Sequence, residues 1–489
     1  MEGNSYDLTV DGVKARVNIG KDPTEFVPIY KMDYPQLKVA TRALLDSIRE
    51  KLIAELEITP TKILDSSGII SLKKSFKEKS LKLLDKHLPK LPSEKRDSLA
   101  GILLHNSLGL GPLEMILHDQ NIEEVVINNS KEPVWVYHRK MSWLKTNVNL
   151  SSETEIYNFA AMIGRRVGTQ ITYLNPLMDA YLVTGDRSNA TLFPISSKGN
   201  TLTIRKFARR PWTITDFIEA NTLSPDIAAF LWLAIQYEMN VLIAGGTASG
   251  KTSLLNVLSC FIPPNHRIIS IEDTREIQIP DFMHWVPLTT RPPNSEGKGE
   301  VTMLELLVNS LRMRPDRVLV GEIRRSKEAE VLFEAVHTGH SVYATLHANT
   351  AEETVRRLIN PPINIPSTLL ASLHLIAVMH RDRRREIRRL IQLSEVVSTD
   401  IRNHIELNDI FGWTPSKDTF LRMEASSRVM EEIKTYTGMA PKEIDRDLNE
   451  KERILKWLVK KQVKDIQKVG EIISTYYTNP EKILKRVKG

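Results

Sequence analysis

The stretch GGTASGKTSLLNVL, Gly245 to Leu258, decides how this chain is read. Gly245 to Thr252 fits the spacing G-x-x-x-x-G-K-[ST]. The apolar run MNVLIA, Met239 to Ala244, predicts a short buried strand before it, and an apolar pattern of helical spacing follows. Strand, glycine-rich loop and helix in that order make a phosphate-binding loop. Its glycines let successive backbone N–H groups turn inward around an anion, and the positive end of the following helix dipole faces the same point. Lys251 reaches the β and γ phosphates. The nucleotide-binding residues are therefore Gly245, Gly246, Thr247, Ala248, Ser249, Gly250, Lys251, Thr252 and Ser253, with the Thr252 hydroxyl placed for Mg²⁺.

Composition sets the limits around that loop. At 489 residues the chain has material for more than one domain. A single cysteine, Cys260, excludes an intrachain disulfide framework and a Cys-rich zinc site, which fits a reducing cytoplasm. The opening MEGNSYDLTVDG has no charged-then-apolar signal segment. The longest apolar stretch, STLLASLHLIAVM, is too short and interrupted to span a bilayer, so a soluble or peripheral protein is expected. A net charge of +7 and a pI near 9.1 admit nucleic acid or an anionic membrane surface as partner. Both signs are interspersed, however, and the charge alone discriminates nothing.

Four regions follow from periodicity and punctuation. Residues 1–118 are expected to form a small helical bundle, on the spacing in LKVATRALLDSIREKLIAEL and FKEKSLKLLDKHL. Residues 119–208 are β-rich, with strands in IEEVVINN, PVWVYHR, MSWLKTNV, SNATLFPI and NTLTIRKFA around one amphipathic helix, TEIYNFAAMIGRRVG. Pro211 and a polar, turn-rich flavour mark residues 209–223 as a linker. Residues 224–489 read as an α/β domain on a mostly parallel sheet, closed by amphipathic helices in EKERILKWLVKKQVKDIQKVGEIISTYY that are expected to pack on it.

Several downstream motifs separate this phosphate loop from others. The strand RIISI ends at Glu272 and Asp273, and carboxylates at the C-terminal end of a parallel strand point into the ligand crevice, where they order water or Mg²⁺. A second apolar strand, RVLVGE, ends in Gly321 and Glu322. Glycine stands where an aspartate is usual, so Mg²⁺ relies on Thr252 and water while Glu322 orients the attacking water. HTGHSVYATLHAN adds His340 and His347, the latter directly after the strand SVYATL. A neutral histidine donor there would sense the third phosphate and pass hydrolysis on to the domain packing.

The phosphate loop, SIEDTREI, LVGEIR and TGHSVYATLHAN, in this order, resemble the secretion ATPase superfamily, which includes the motors of type II secretion, type IV pili, archaella and type IV secretion. Upstream, GLGPLEMILHDQNIEEVVINN and TLTIRKF resemble that family's N-terminal domain, so the likeness covers residues 100–400. The resemblance implies a RecA-like α/β ATPase domain with an α+β N-terminal part, here a helical bundle and a PAS-like sheet. It implies ATP and Mg²⁺ as cofactors, a homohexameric ring, a polytopic membrane platform protein as partner, and a place in the cytoplasm against the inner face of the cell membrane. It also implies arginines from the N-terminal domain that neutralise charge developing on the phosphates, carried over to Arg187 in TGDRSN and Arg205 in TIRKF. Together with Glu322, Glu272 and His347, these form the expected catalytic set. Arg187 departs slightly from the pattern, since the family often has Asp-Gly-Ser-Arg there. Arg324 is placed either against a neighbouring subunit or in a surface ion pair. With one cysteine the chain lacks the four-cysteine zinc insertion of many bacterial members and resembles the archaeal-type branch.

The basic run HRDRRREIRRLIQLSEVV is read as a solvated hairpin tip, with lipid headgroups or an acidic platform protein as the alternative. A nucleic-acid translocase is the rival function. Against it stand the Gly321–Glu322 pair, the histidine motif and the lack of an aromatic-interleaved basic groove, so no nucleic-acid partner is expected. A GTP switch would need an Asn-Lys-x-Asp motif that is missing, and a non-hydrolysing scaffold would not need Lys251 and Glu322.

Overall fold

The computed structural model describes residues 4–55, 66–182, 185–207, 210–293, 297–399 and 404–488. The described residues divide into two compact units, one up to residue 207 and one comprising 210–293 and the chain from Gly297 onward.

The first unit is built on nine strands: β1 (Asn4–Val10), β2 (Val13–Gly20), β3 (Ile29–Asp33), β4 (Ile122–Ile127), β5 (Trp135–His138), β6 (Ser142–Thr146), β7 (Leu177–Tyr181), β8 (Arg187–Thr191) and β9 (Thr201–Arg205). They form one sheet in the order β1-β2-β3-β6-β5-β4-β9-β8-β7, antiparallel except for the β3–β6 pair. The expectation of helices alone before residue 118 is therefore corrected: helices begin at Val39, and the first three strands join the same sheet as the β-rich region. The cause is local. In β2, Val13, Ala15, Val17 and Ile19 are buried while Lys14 and Arg16 face out, the two-residue period of a half-buried strand. Asp11 and Gly12, both at positive φ (51° and 91°), form the two-residue turn that joins β1 to β2. Helix Ser93–Leu108 packs on this hairpin, with a Cβ at Gly101 placed only 2.6 Å from the Asp11 carbonyl oxygen. One core runs from Val10 to Ile204, so the helical and β-rich regions fold as a single body.

The second unit holds β10 (Val241–Gly245), β11 (Ile268–Glu272), β12 (Trp285–Thr289), β13 (Arg317–Val320), β14 (Ser341–Leu346), β15 (Leu375–Asp382), β16 (Ile387–Thr399), β17 (His404–Thr414) and β18 (Thr419–Arg422). Their order is β12-β11-β13-β14-β10-β15-β16-β17-β18; the first six are parallel and the rest antiparallel. The parallel strands are short and apolar, as strands covered on both faces must be. The expected linker is also corrected. Arg209 lies outside the described residues, but from Arg210 the chain belongs to this unit, and Ile214–Glu219 is a helix. Asp216 accepts from the Thr213 backbone N–H and hydroxyl at 3.0 Å each, and Ile214 and Phe217 enter the core.

The C-terminal helices Pro441–Lys460 and Ile466–Thr478 complete that core. Trp232 stacks on Phe261 at 5.3 Å, meets Tyr476 edge-on at 5.4 Å and donates its indole N–H to the Tyr477 hydroxyl at 2.8 Å. Lys451, fully buried beside Asp447 and the Trp232 and Tyr476 rings, is pushed down to about 8 by burial.

A Cβ at Gly12 would meet Asp97 Oδ2 at 1.8 Å in a left-handed turn. Gly12→Ala is therefore expected to lower the thermal midpoint of the first unit by several degrees, a cost of about 1–3 kcal/mol. Calorimetry of the two proteins checks this; an unchanged transition would mean that the turn tolerates a side chain.

Candidate active site

The site lies at the carboxyl ends of four neighbouring parallel strands, where α/β sheets bind ligands. β10 runs into the phosphate loop. At Gly245 (φ 155°) a Cβ would stand 2.5 Å from both the Met379 carbonyl oxygen and Ser249 Oγ, so only glycine fits. Gly250, in the left-handed region, opens the helix Lys251–Ser259. Lys251 Nζ donates to the Gly245 and Gly246 carbonyls at 3.0 and 3.1 Å and lies 3.3 Å from His347 Nδ1. Burial lowers the Lys251 pKa, opposed by the charges of Glu322 and Glu276. Thr252 and Ser253 follow on the first helical turn, half-buried.

β13 and β14 deliver Glu322 and His347. The end of β13 is tied on both sides: the Gly321 N–H donates to the Ile271 carbonyl at 2.9 Å, and the Ile323 N–H to the Thr345 carbonyl at 2.9 Å. Glu322 Oε1 lies 3.0 Å from His347 Nε2, and its Oε2 accepts from Arg324 at 2.7 and 2.9 Å. Arg324 reaches on to Asp273 at 2.6 Å, which accepts from the Thr290 hydroxyl at 3.1 Å. His347 has its pKa lowered by burial first and by Lys251 next, so near neutral pH it is uncharged. With Lys251 facing Nδ1, the proton belongs on Nε2, where it donates to Glu322. Arg324 thus pairs with carboxylates of its own chain, the second of the two expectations for it.

Glu272, at the end of β11, is buried. Its Oε1 accepts from the Glu276 and Ile277 N–H groups at 2.8 and 3.0 Å, while Oε2 is buried with no hydrogen-bond partner among the described residues. Burial pushes its carboxyl up to about 7. Gly321 stands beside it: a Cβ there would come within 3.3 Å of Glu272 Cγ, closer than side chains ordinarily pack. Glycine in place of the usual aspartate is what gives Glu272 its room. The donors suited to Mg²⁺ are hard oxygens, the Thr252 hydroxyl and Glu272 Oε2, and among the described residues no three His, Cys, Asp or Glu side chains gather as a metal cage. That set fits a cation that arrives on phosphate oxygens and keeps its water.

Three further residues from the sequence reading stand on other elements. His340 sits at the opposite end of β14, its Nδ1 3.2 Å from the Ala335 carbonyl and 3.3 Å from the Thr338 hydroxyl at the end of helix Ser326–His337. Arg187 and Arg205 belong to the first unit, as direct partners on β8 and β9 with both side chains on one exposed face. Arg187 is held bidentately by Asp179 at 2.7 and 3.0 Å, and Arg205 faces Glu124 on β4.

Two contacts escaped the reading of the sequence. The basic run is a β15–β16 hairpin as expected, but it is not simply a solvated tip. Arg389 is buried and pairs with Asp418 at 2.7 Å, and Arg388 Nε donates to the Ala248 carbonyl of the phosphate loop at 3.1 Å. No pattern in HRDRRREIRR distinguishes these two from their neighbours.

Fold and site together define a phosphate-loop ATPase with a RecA-like α/β core. A family profile described as "Type II/IV secretion system protein" matches residues 187–411, and one described as "PilB3-like, C-terminal" matches residues 416–489. An uncharacterized protein of Methanocaldococcus jannaschii, MJ0900, is 33% identical over 435 residues, 88% of this chain and 77% of the relative. The type IV secretion system protein PtlH of Bordetella pertussis is 32% identical over 264 residues, 50% of this chain and 77% of the relative. Among solved structures, the ATPase DotB of Legionella pneumophila is similar at 20% identity and a TM-score of 0.42, over 74% of this chain and 93% of that one. The chain belongs to the type II/IV secretion ATPase superfamily.

Glu272 supplies a pH test. Its folded-state carboxyl, near 7, lies above the ordinary 4.5, so the folded protein holds the extra proton between these values and stability falls as pH rises through that window. Glu272→Gln removes the titration. Its melting temperature is expected to gain on that of the wild type between about pH 5 and about pH 8 and to stay level above that; parallel curves would show that the carboxyl is not raised.

Proposed function

We propose that this protein is an ATP-hydrolysing motor that works as a homohexameric ring on the cytoplasmic side of a cell membrane, driving assembly of a type IV pilus-like or archaellum filament or secretion of a substrate. One observation carries the reading: Glu322, the water-activating group, is joined through His347 to the phosphate-binding Lys251. In this reading Lys251 moves from the loop carbonyls onto the β and γ phosphates. Glu322 orients water in line with the γ-phosphorus and takes its proton as the new P–O bond forms and the bond to the β–γ bridging oxygen breaks. His347 exchanges a partner when Lys251 moves, which makes the pair a detector of the third phosphate. Thr252 would hold Mg²⁺, which would supply charge neutralisation.

The arginines of the first unit fit the same reading. Arg187 and Arg205 stand directly opposite one another on β8 and β9, each already beside a carboxylate, Asp179 and Glu124, so the reading rests on the family resemblance and requires them to exchange those carboxylates for the phosphates. We assign them to the transition-state charge. A polytopic membrane platform protein is the expected partner, with an anionic lipid surface beside it.

Lys251→Ala is expected to abolish ATP turnover, and Glu322→Gln to keep ATP binding while losing hydrolysis by a factor of about 10² or more. Phosphate release and labelled-ATP titration check both. Binding lost along with turnover in Glu322→Gln would make that residue structural and Glu272 the water-positioning group. Arg187→Ala and Arg205→Ala are each expected to lower kcat and kcat/KM together with little change in nucleotide affinity. Steady-state kinetics beside equilibrium binding decides that, and a fall in affinity without a fall in kcat would remove the arginines from the active site.

A further inference from the structure

The turn end of the β15–β16 hairpin is the floor of the phosphate loop. β15 pairs in parallel with β10, and its Met379 lies beneath the loop, with the carbonyl oxygen against Gly245 and the methyl carbon 3.4 Å from the Cβ position of Gly250. β16 pairs antiparallel with β15, and a register shift after Val378 re-aims the strand, leaving Arg388 opposite Arg381. From there Arg388 lays its stem along the loop, Cδ 3.4 Å from the Cβ position of Gly250, and donates from Nε to the Ala248 carbonyl at 3.1 Å.

Ala248 is where the loop needs such a restraint. It has φ 59°, a left-handed conformation that residues with a Cβ seldom adopt. The turn around it is closed by one long backbone bond, Ser249 N–H to the Gly246 carbonyl at 3.3 Å. That same Gly246 carbonyl also accepts from Lys251 Nζ, so it is shared. A hydrogen bond from a guanidinium is stronger than one between neutral groups, and here it grips the peptide that follows the strained residue.

We propose that Arg388 is a positioning residue of the nucleotide site, which holds the crown of the phosphate loop in its left-handed turn and so preorganises the loop for phosphate. This rests on the reading of Gly245–Thr252 as the nucleotide site. It gives one member of the basic run a role inside the motor rather than at a membrane or partner surface. The hairpin that carries it links the loop to the antiparallel half of the sheet.

The experiment measures the dissociation constant of a fluorescent ADP analogue with Mg²⁺, and KM and kcat for ATP, on the full chain. Arg388→Met keeps the apolar stem over Gly250 and removes the donor. It is expected to raise the dissociation constant and KM about tenfold, the effect of one charge-assisted hydrogen bond, with kcat at saturation within about twofold of wild type. Arg388→Lys, which keeps a charged donor, should bind within about threefold of wild type. Ala248→Gly in the Arg388→Met background should recover most of the affinity, because glycine takes a positive φ without cost to its side chain. General loss of packing would not be reversed by a substitution at Ala248. Wild-type affinity in Arg388→Met, or a loss unchanged by Ala248→Gly, overturns the proposal. Lys251→Ala is the control: if wild type binds and that variant does not, the nucleotide site stands whatever Arg388 does.

Discussion

A single run of polar contacts joins the carboxyl ends of the four strands that make the site: Lys251 after β10, His347 after β14, Glu322 and Arg324 after β13, and Asp273 after β11. Each contact is between groups at hydrogen-bonding distance, running from the buried Lys251 to the exposed Arg324, and such distances tolerate little offset. The strands therefore have to end level with one another. Their parallel registers and the ties from Gly321 to Ile271 and from Ile323 to Thr345 hold that alignment. The histidine can serve as a joint only while it is neutral, since it must accept from Lys251 at one nitrogen and donate to Glu322 at the other. Burial and the lysine charge both push it toward that state.

The absence of an aspartate before Glu322 has a steric explanation. Glu272 packs against Gly321 and turns one oxygen toward two backbone N–H groups, and a side chain at Gly321 would press on it. A buried carboxylate thus stands at the end of β11 where Gly321, at the end of β13, leaves it room. Glu272 bears the cost of burial, and its second oxygen has no protein partner among the described residues. A cation delivered with phosphate is the kind of ligand that would reverse that cost, because positive charge nearby favours the ionised form.

How much of this was legible varied with the kind of interaction. The phosphate loop, Glu272, Glu322 and His347 are marked by motifs that sit at strand ends, and strand ends can be located from apolar runs. The hairpin of β1 and β2 was legible too: Asp11-Gly12 between alternating apolar residues is a turn signal, and it was outweighed by the helical spacing that begins at Leu37. The helix at Ile214–Glu219 hid behind Pro211, whose restrictions fall on itself and on the residues before it rather than on a helix that starts three residues later. Arg388 was not legible. Which arginine of a basic run touches the loop depends on the register shift after Val378, and nothing local in the sequence sets where that shift falls.

The C-terminal helices show why a boundary in sequence similarity need not be a boundary in folding. The two family matches part between residues 411 and 416, inside β17 and its turn to β18, yet the last strand pair continues the same sheet. The helices beyond it present their apolar faces to Trp232, on the helix Pro225–Gln236 before the phosphate loop's strand, and to Phe261, in the turn that ends the helix after it. The Tyr477 hydroxyl donates to the Phe261 carbonyl at 2.5 Å and accepts from the Trp232 indole, so one side chain of the tail satisfies polar groups at two points of the nucleotide domain. Lys451 is acceptable at full burial only because Asp447 and two aromatic faces surround its ammonium. Remove the tail and Trp232, a large side chain with no exposure, loses its cover; remove the nucleotide domain and Lys451 keeps Asp447 and Tyr476 but loses the Trp232 face. The segment after residue 416 is thus a structural layer of the nucleotide domain, placed on the face of the sheet that also carries the helix Lys251–Ser259.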